Sequence, residues 1–145
     1  MRGRTPALVL IAEDEEPIAE TISYIVEDAG YTPLVAAHGR QALEFARAER
    51  PALLITDLMM PHLDGAALIA ALRADAAADG AQGGDEGGQG GQGGQGGAAP
   101  PIILMTAASL DLAGAAGADV VLRKPFALAE LEALLHRFLS PLLRA

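Results

Sequence analysis

The chain has no cysteine. That excludes disulfides, thiolate metal sites and a cysteine nucleophile. Aromatic residues make up 3% of the chain, while 51% of residues are hydrophobic, so an aliphatic core is expected. Basic residues are few: ten against nineteen acidic ones, for a formal net charge of −9. This balance argues against nonspecific binding to nucleic acid or to an anionic membrane surface. No apolar run approaches the length of a membrane span. The opening MRGRTPALVLIAEDEE only faintly resembles a signal peptide, because the run from Ala7 to Ala12 is short and stops at acids. The expected location is cytoplasmic. No P-loop or GxGxxG pattern follows the first apolar run, so nucleotide binding is not expected. The length, 145 residues, suits one domain.

What is present alternates. ALVLIA (7–12) is a continuous apolar run, as expected of a strand covered on both faces. In EEPIAETISYIVEDAG, Ile18, Ile22, Ile25, Val26 and Ala29 share a helical face, and Gly30 is a natural stop. YTPLVAA reads as a second strand, at an edge because of Pro33. GRQALEFARAER reads as a helix with Ala42, Leu43 and Ala46 inward, and PALLIT as a third strand ending at Asp57. A third helix is expected from about Asp64 to Asp75, with Leu68, Ala71 and Leu72 buried. PPIILMT and ADVVL give strands four and five. The closing ALAELEALLHRFLSPLL places Leu128, Leu131, Leu135 and Phe138 on one stripe. Strands alternating with helices imply right-handed βαβ units, hence a doubly wound α/β domain with a five-stranded parallel sheet and helices on both faces.

Two segments fit this pattern poorly. A glycine- and glutamine-rich stretch at about 79–99 has almost no apolar surface to bury, so a flexible loop is expected there, read as a tolerated surface insertion. ASLDLAGAAGA, between strands four and five, should hold a helix, but Gly114 and Gly117 weaken it and an abbreviated one is expected.

Ligands of open α/β sheets bind outside the carboxyl ends of the strands. Glu13 and Asp14 follow strand one, Asp57 follows strand three, Thr106 strand four and Lys124 strand five. Clustered carboxylates repel unless a cation or proton intervenes. Hard oxygen ligands favour Mg²⁺ together with a phosphate oxygen. Lys124 offers a point charge to an anion and Thr106 a hydrogen bond. The set suits a dianionic phosphoryl group, with Asp57 as the oxygen nucleophile. Each residue alone has a plainer reading. Asp57 or Thr106 could be a turn or cap residue, EDEEP an acidic helix start, and Lys124 a surface lysine, although it is the only lysine in the chain. His38, His62 and His136 are scattered and read as structural or solvent-facing.

The stretches LVLIAEDEEP, LLITDLMMPHLDG, PIILMTA and VVLRKPF, in this order, resemble the receiver domain of two-component response regulators, of the single-domain type. The resemblance spans nearly the whole chain apart from the glycine-rich stretch. It implies a flavodoxin-like sheet of strand order 2-1-3-4-5. It implies that Asp57 is the phosphoacceptor and that Mg²⁺ is held by Asp14 directly, Glu13 mostly through water, Asp57 and the main-chain carbonyl of Met59. Thr106 would be the switch hydroxyl, Lys124 the partner of the phosphoryl oxygens, and Ala107 the small residue leaving them room. A cis peptide is implied between Lys124 and Pro125. A histidine kinase or histidine phosphotransfer protein would donate the phosphoryl group. The chain would catalyse only its own phosphorylation and dephosphorylation, and so not be an enzyme in the usual sense.

Two departures stand out. Many receivers carry an aromatic three positions before the lysine, where this chain has Val121, and the interval from Thr106 to Lys124 is short. Both fall on a face that receivers commonly use for partners. They leave open a phosphoryl shuttle or sink without strong output, and a constitutive interaction module with a vestigial pocket. A haloacid-dehalogenase-like phosphatase would want a second aspartate where Met59 stands. With no appended helix-turn-helix and no basic face, direct nucleic-acid binding is not expected, and output through a protein partner is.

Overall fold

A computed structural model describes the main chain of residues 7–60, 63–86, 99–107 and 117–144, and the side chains of these except 79–86 and 140–144. The apolar runs form strands β1 (Leu8–Ala12), β2 (Thr32–Ala36), β3 (Leu53–Asp57), β4 (Ile102–Thr106) and β5 (Val120–Arg123). They pair in parallel as one five-stranded sheet of order β2-β1-β3-β4-β5. Pro33 therefore lies on an edge strand, where its missing N–H breaks no ladder on the open side.

Helices α1 (Glu16–Asp28), α2 (Gly39–Glu49), α3 (Gly65–Glu86) and α4 (Leu128–Arg144) cover the sheet. Alternation along the strands builds two cores. Val9, Ile11, Leu53, Ile55, Ile103, Met105 and Leu122 point to one face and meet Ile22, Ile25 and Val26 of α1 and Leu131, Leu135 and Leu139 of α4. Leu10, Ala12, Leu54, Ile102 and Leu104 point to the other, against Ala42 and Ala46 of α2 and Leu68, Ile69 and Leu72 of α3. β1, β3 and β4 carry the continuous apolar runs because both their faces are covered.

Two expectations need correction. α3 continues well past Asp75, through Glu86, so the first part of the segment expected as loop, 79–86, has a helical main chain. Burial stops marking the helix after Leu72; Ala74, Ala76, Ala77 and Ala78 favour helix without needing a core, while Gly80, Gly83 and Gly84 disfavour it, and nothing in the structure explains the last two turns. The stripe on α4 is Leu131, Leu135 and Leu139, with Phe138 partly buried. Leu128, in the first turn, is 55% exposed; it opens the helix one turn before the buried stripe begins. The short helix expected within 108–118 lies almost wholly outside the described residues, as do positions 87–98.

Strand register sets the site. Asp57 pairs with Met105, Ala12 with Thr56 and with Ala36, and Thr106 with Arg123. The carboxyl ends of all the strands thus meet at one rim, with Glu13, Asp14 and Lys124 immediately beyond it. The sheet's stability rests on its aliphatic contacts. Leu135, fully buried between α4 and the sheet, gives a direct test: Leu135→Ala should lower the unfolding free energy by about 2–5 kcal/mol in urea titration. A loss below about 1 kcal/mol would mean that α4 is not packed as described.

Candidate functional site

The alternation that builds the α1–α4 core continues into the rim. Val9 and Ile11 are followed on the same face by Glu13, Leu53 and Ile55 by Asp57, and Leu122 by Lys124. The same side-chain period that fills the core therefore delivers two acids and an ammonium to one place. Lys124 Nζ lies 3.2 Å from Asp57 Oδ1 and 3.3 Å from Glu13 Oε1. Glu13 and Asp57 are buried, while Asp14 is exposed beside them. One carboxylate oxygen from each of Glu13, Asp14 and Asp57 lies within 4.8 Å of the other two.

Each buried group is held by main chain. Asp57 Oδ1 also accepts from the Leu58 N–H at 3.1 Å. Glu13 Oε2 accepts from the Glu15 N–H at 3.1 Å, and the Glu13 N–H donates to the Ala36 carbonyl at 3.1 Å. The Lys124 N–H donates to the Thr106 carbonyl at 2.9 Å. Asp57 Oδ1 is thus oriented both by main chain and by the lysine.

The electrostatics follow from this crowding. Burial pushes the Asp57 carboxyl above the usual aspartate range; Lys124 and the Leu58 N–H pull it back only in part, and Asp14 pushes the same way as burial. Burial also raises Glu13, with Asp57 adding repulsion and the Glu15 N–H and Lys124 opposing. For Lys124, burial acts to lower the ammonium pKa, but the attraction of Asp57 and Glu13 outweighs it and the net shift is upward. The lysine is held charged between acids that its single charge does not fully satisfy.

Of the residues singled out in the sequence, Glu13, Asp14, Asp57 and Lys124 are brought together. Thr106 is buried at the end of β4 and joined to Lys124 through its main chain. Met59 follows in the loop leaving β3 and is 67% exposed. Ala107 is exposed at the rim, Val121 is partly buried against the α2–α3 core, and the Lys124–Pro125 peptide is cis. His38 caps α2, accepting from the Gln41 N–H at 3.2 Å, and His62 lies outside the described residues.

A family model described as "Response regulator receiver domain" matches residues 9–80. The chemotaxis response regulator CheY4 of Vibrio cholerae is 30% identical in sequence, with a TM-score of 0.72 over 93% of this chain and 100% of that one. The chain belongs to the response regulator receiver family. Response regulator MprA of Mycolicibacterium vanbaalenii is 33% identical over 138 residues, covering 92% of this chain and 51% of that protein. The alkaline phosphatase synthesis transcriptional regulatory protein PhoP of Bacillus subtilis is 38% identical over 65 residues, 45% of this chain and 27% of that protein. The receiver thus spans about half the length, or less, of these curated relatives.

The acids of this receiver fit a divalent cation. Three hard oxygen donors converge, two of them on buried carboxylates whose ionised forms are disfavoured by their surroundings, so positive charge beyond Lys124 is what the cluster lacks. Two features escaped the sequence. The Leu58 N–H, bonded both to Asp57 Oδ1 and to the Met105 carbonyl, orients the aspartate, and a main-chain donor leaves no trace in residue type. Gly65 and Gly39 allow close approach around the loop after β3. A Cβ on Gly65 would collide with the Asp57 carbonyl and come 2.9 Å from Leu58 Cα, and one on Gly39 would collide with the Leu63 carbonyl. The Asp-Gly of HLDG was a visible signal, read only as a helix start.

The raised carboxyl values fix a pH dependence. A group that binds its proton more tightly when folded stabilises the fold below its unfolded value, and that contribution is lost as pH rises through the folded one. At neutral pH without divalent cation, Glu13 and Asp57 therefore weaken the fold. We expect Asp57→Asn to raise the urea midpoint at pH 7 in chelator, with the gain vanishing below about pH 4, where the native aspartate is protonated in both states. A lowered midpoint at pH 7 would contradict the electrostatic account.

Proposed function

We propose that this receiver accepts a phosphoryl group on Asp57 from a phosphohistidine of a histidine kinase or histidine phosphotransfer protein. The observation that carries this is the setting of Asp57: a buried carboxylate at a strand end, oriented through Oδ1 by Lys124 and the Leu58 N–H, with Glu13 and Asp14 beside it. In the transfer, an Asp57 oxygen forms a bond to phosphorus as the donor's N–P bond breaks and its electron pair stays on the imidazole nitrogen. Reversal toward solvent is the attack of water on the same phosphorus, which releases inorganic phosphate and restores the carboxylate. Lys124, already charged and 3.2 Å from Asp57, takes up contact with the phosphoryl oxygens. Glu13, Asp14, Asp57 and the Met59 carbonyl would hold Mg²⁺, which when bound supplies charge neutralisation for the phosphoryl oxygens. Thr106, buried at the end of the neighbouring strand, would supply the switching hydroxyl, so that phosphorylation shifts a two-state equilibrium and with it partner affinity.

In this reading the chain turns over no substrate other than its own phosphoryl group, works in the cytoplasm, and acts as a stand-alone receiver. The competing arrangement is attachment to an output segment, since the matched regions cover 51% of MprA and 27% of PhoP, and PhoP is by name a transcriptional regulator. The expectation of no nucleic-acid partner, drawn from charge and from the lack of a helix-turn-helix pattern, gains no support from such relatives. Val121 favours a second reading, a phosphoryl shuttle or sink. A partly buried valine against the α2–α3 core has no large ring to move between two positions, which leaves β5 without the usual means of output.

Acetyl phosphate with Mg²⁺ should add the mass of one phosphoryl group to the wild-type chain, and Asp57→Ala should abolish the addition in intact-mass spectrometry. A vestigial pocket would give no addition in either. Lys124→Ala should keep Mg²⁺ affinity within about twofold while slowing labelling about tenfold or more. Equal losses in both would assign Lys124 a structural role instead. Partner affinity unchanged by phosphorylation would select the shuttle over the switch.

A further inference from the structure

At the end of β5 away from the acids lies a cluster that the proposed reaction does not touch. Arg73 of α3 donates from Nη2 to the Gly117 carbonyl at 2.8 Å, and the same nitrogen lies 3.5 Å from Asp119 Oδ2. Asp119 Oδ2 accepts from the Ile102 N–H at 2.8 Å, and the Asp119 N–H donates to the Ile102 carbonyl at 3.0 Å. Asp119 thus brackets the first residue of β4 with two bonds, and Arg73 ties both Asp119 and the preceding turn to α3. Gly117 has φ +86°, a conformation that a side chain would strain; glycine permits this turn without enforcing it, and the hydrogen bond from Arg73 holds it.

The strand between this cluster and the site is four residues long and lies at the sheet edge, paired with β4 alone. Its far end is fixed by the Lys124 N–H on the Thr106 carbonyl at 2.9 Å. This short edge strand is held by its one ladder, by Leu122 and Val121 packed on its two faces, and by its two ends. The placing of the ammonium on Asp57 therefore depends in part on the entry of β5. The Arg73–Asp119 ion pair is itself weak, because the two side chains are 42% and 41% exposed and the separation is long. The tether is the hydrogen bond from Arg73 to the Gly117 carbonyl, with the Asp119 bracket on Ile102 beside it.

We propose that Arg73 is a positioning residue for the phosphoryl site: by holding Gly117 and Asp119 it fixes the start of β5, and β5 carries Lys124 onto Asp57. This rests on the reading of Asp57 as phosphoacceptor, so the test has one arm that needs no phosphoryl chemistry.

In that arm, amide hydrogen exchange is compared between wild type and Arg73→Ala. Exchange at the Lys124 N–H, at the opposite end of the strand from the lost contact, should rise about tenfold or more. Unchanged exchange there, with faster exchange only near Asp119, overturns the proposal. The second arm is a double-mutant cycle read as the rate of labelling by phosphoramidate with Mg²⁺. Arg73→Ala should slow labelling about fivefold, with Mg²⁺ affinity little changed, and should cause no further loss in a Lys124→Ala background. Arg73→Lys, which can still reach the Gly117 carbonyl, should restore most of the rate. The same fractional loss with and without Lys124 would mean that Arg73 acts through general stability, and the proposal fails. Should Arg73→Ala not fold, Arg73→Met carries the same two arms, since it keeps the aliphatic stem and the helix propensity while removing the donor to the Gly117 carbonyl. A wild-type chain that takes no phosphoryl group would sink the functional reading, and the exchange arm would still decide the positioning claim.

Discussion

Two carboxylates are buried side by side at the end of a parallel sheet, and one ammonium sits between them. That contact, Lys124 against Asp57 and Glu13, is the constraint the rest of the site serves. Neither acid is fully satisfied by it: burial wins over the attraction and both carboxyls stay above their usual range. A folded chain tolerates this when the same arrangement does something else. Here the unsatisfied negative charge suits a divalent cation, and the oriented carboxylate of Asp57 suits a phosphorus centre. The local instability and the proposed chemistry have one cause.

The fold turns that constraint into geometry through side-chain alternation. Apolar residues at every second position fill the α1–α4 core, and the next position on the same face of β1, β3 and β5 is Glu13, Asp57 or Lys124. Parallel register then brings those ends level. The loop after β3 is pressed close by Gly65 and Gly39, so the Leu58 N–H stays on Asp57 Oδ1. The edge strand β5 is the weak member of this set, and the contacts of Arg73 and Asp119 lie where such a strand needs support. Among the described residues no helix is long and apolar enough to cross a bilayer.

Much of this was legible in the residues. Continuous apolar runs ending on acids, a hydroxyl and the only lysine gave the strands, their parallel order and the rim where Glu13, Asp14, Asp57 and Lys124 meet. The resemblance to receivers then gave the strand order and the cis peptide, both present in the structure. What escaped has physical reasons. The length of α3 was hidden because the alanines just beyond Leu72 sustain a helix without leaving a burial pattern, and the glycines at 80, 83 and 84 argue against the turns that follow. Leu128 matched the α4 stripe by spacing, but spacing does not say where a helix first meets the sheet. The hold of Leu58 on Asp57 is a main-chain hydrogen bond, silent in sequence. The Arg73–Gly117–Asp119 tether joins residues far apart in the chain, at positions that by themselves read as ordinary surface.

The central claim is that Asp57, and no other carboxylate at the rim, is the nucleophile. An acyl phosphate is reduced by borohydride to an alcohol, so the labelled carboxylate can be located by peptide mass mapping after treatment with a phosphoryl donor and Mg²⁺. The account predicts the reduced product at position 57 alone. Reduction at Asp14, Glu13 or Asp64, or none anywhere, would contradict it.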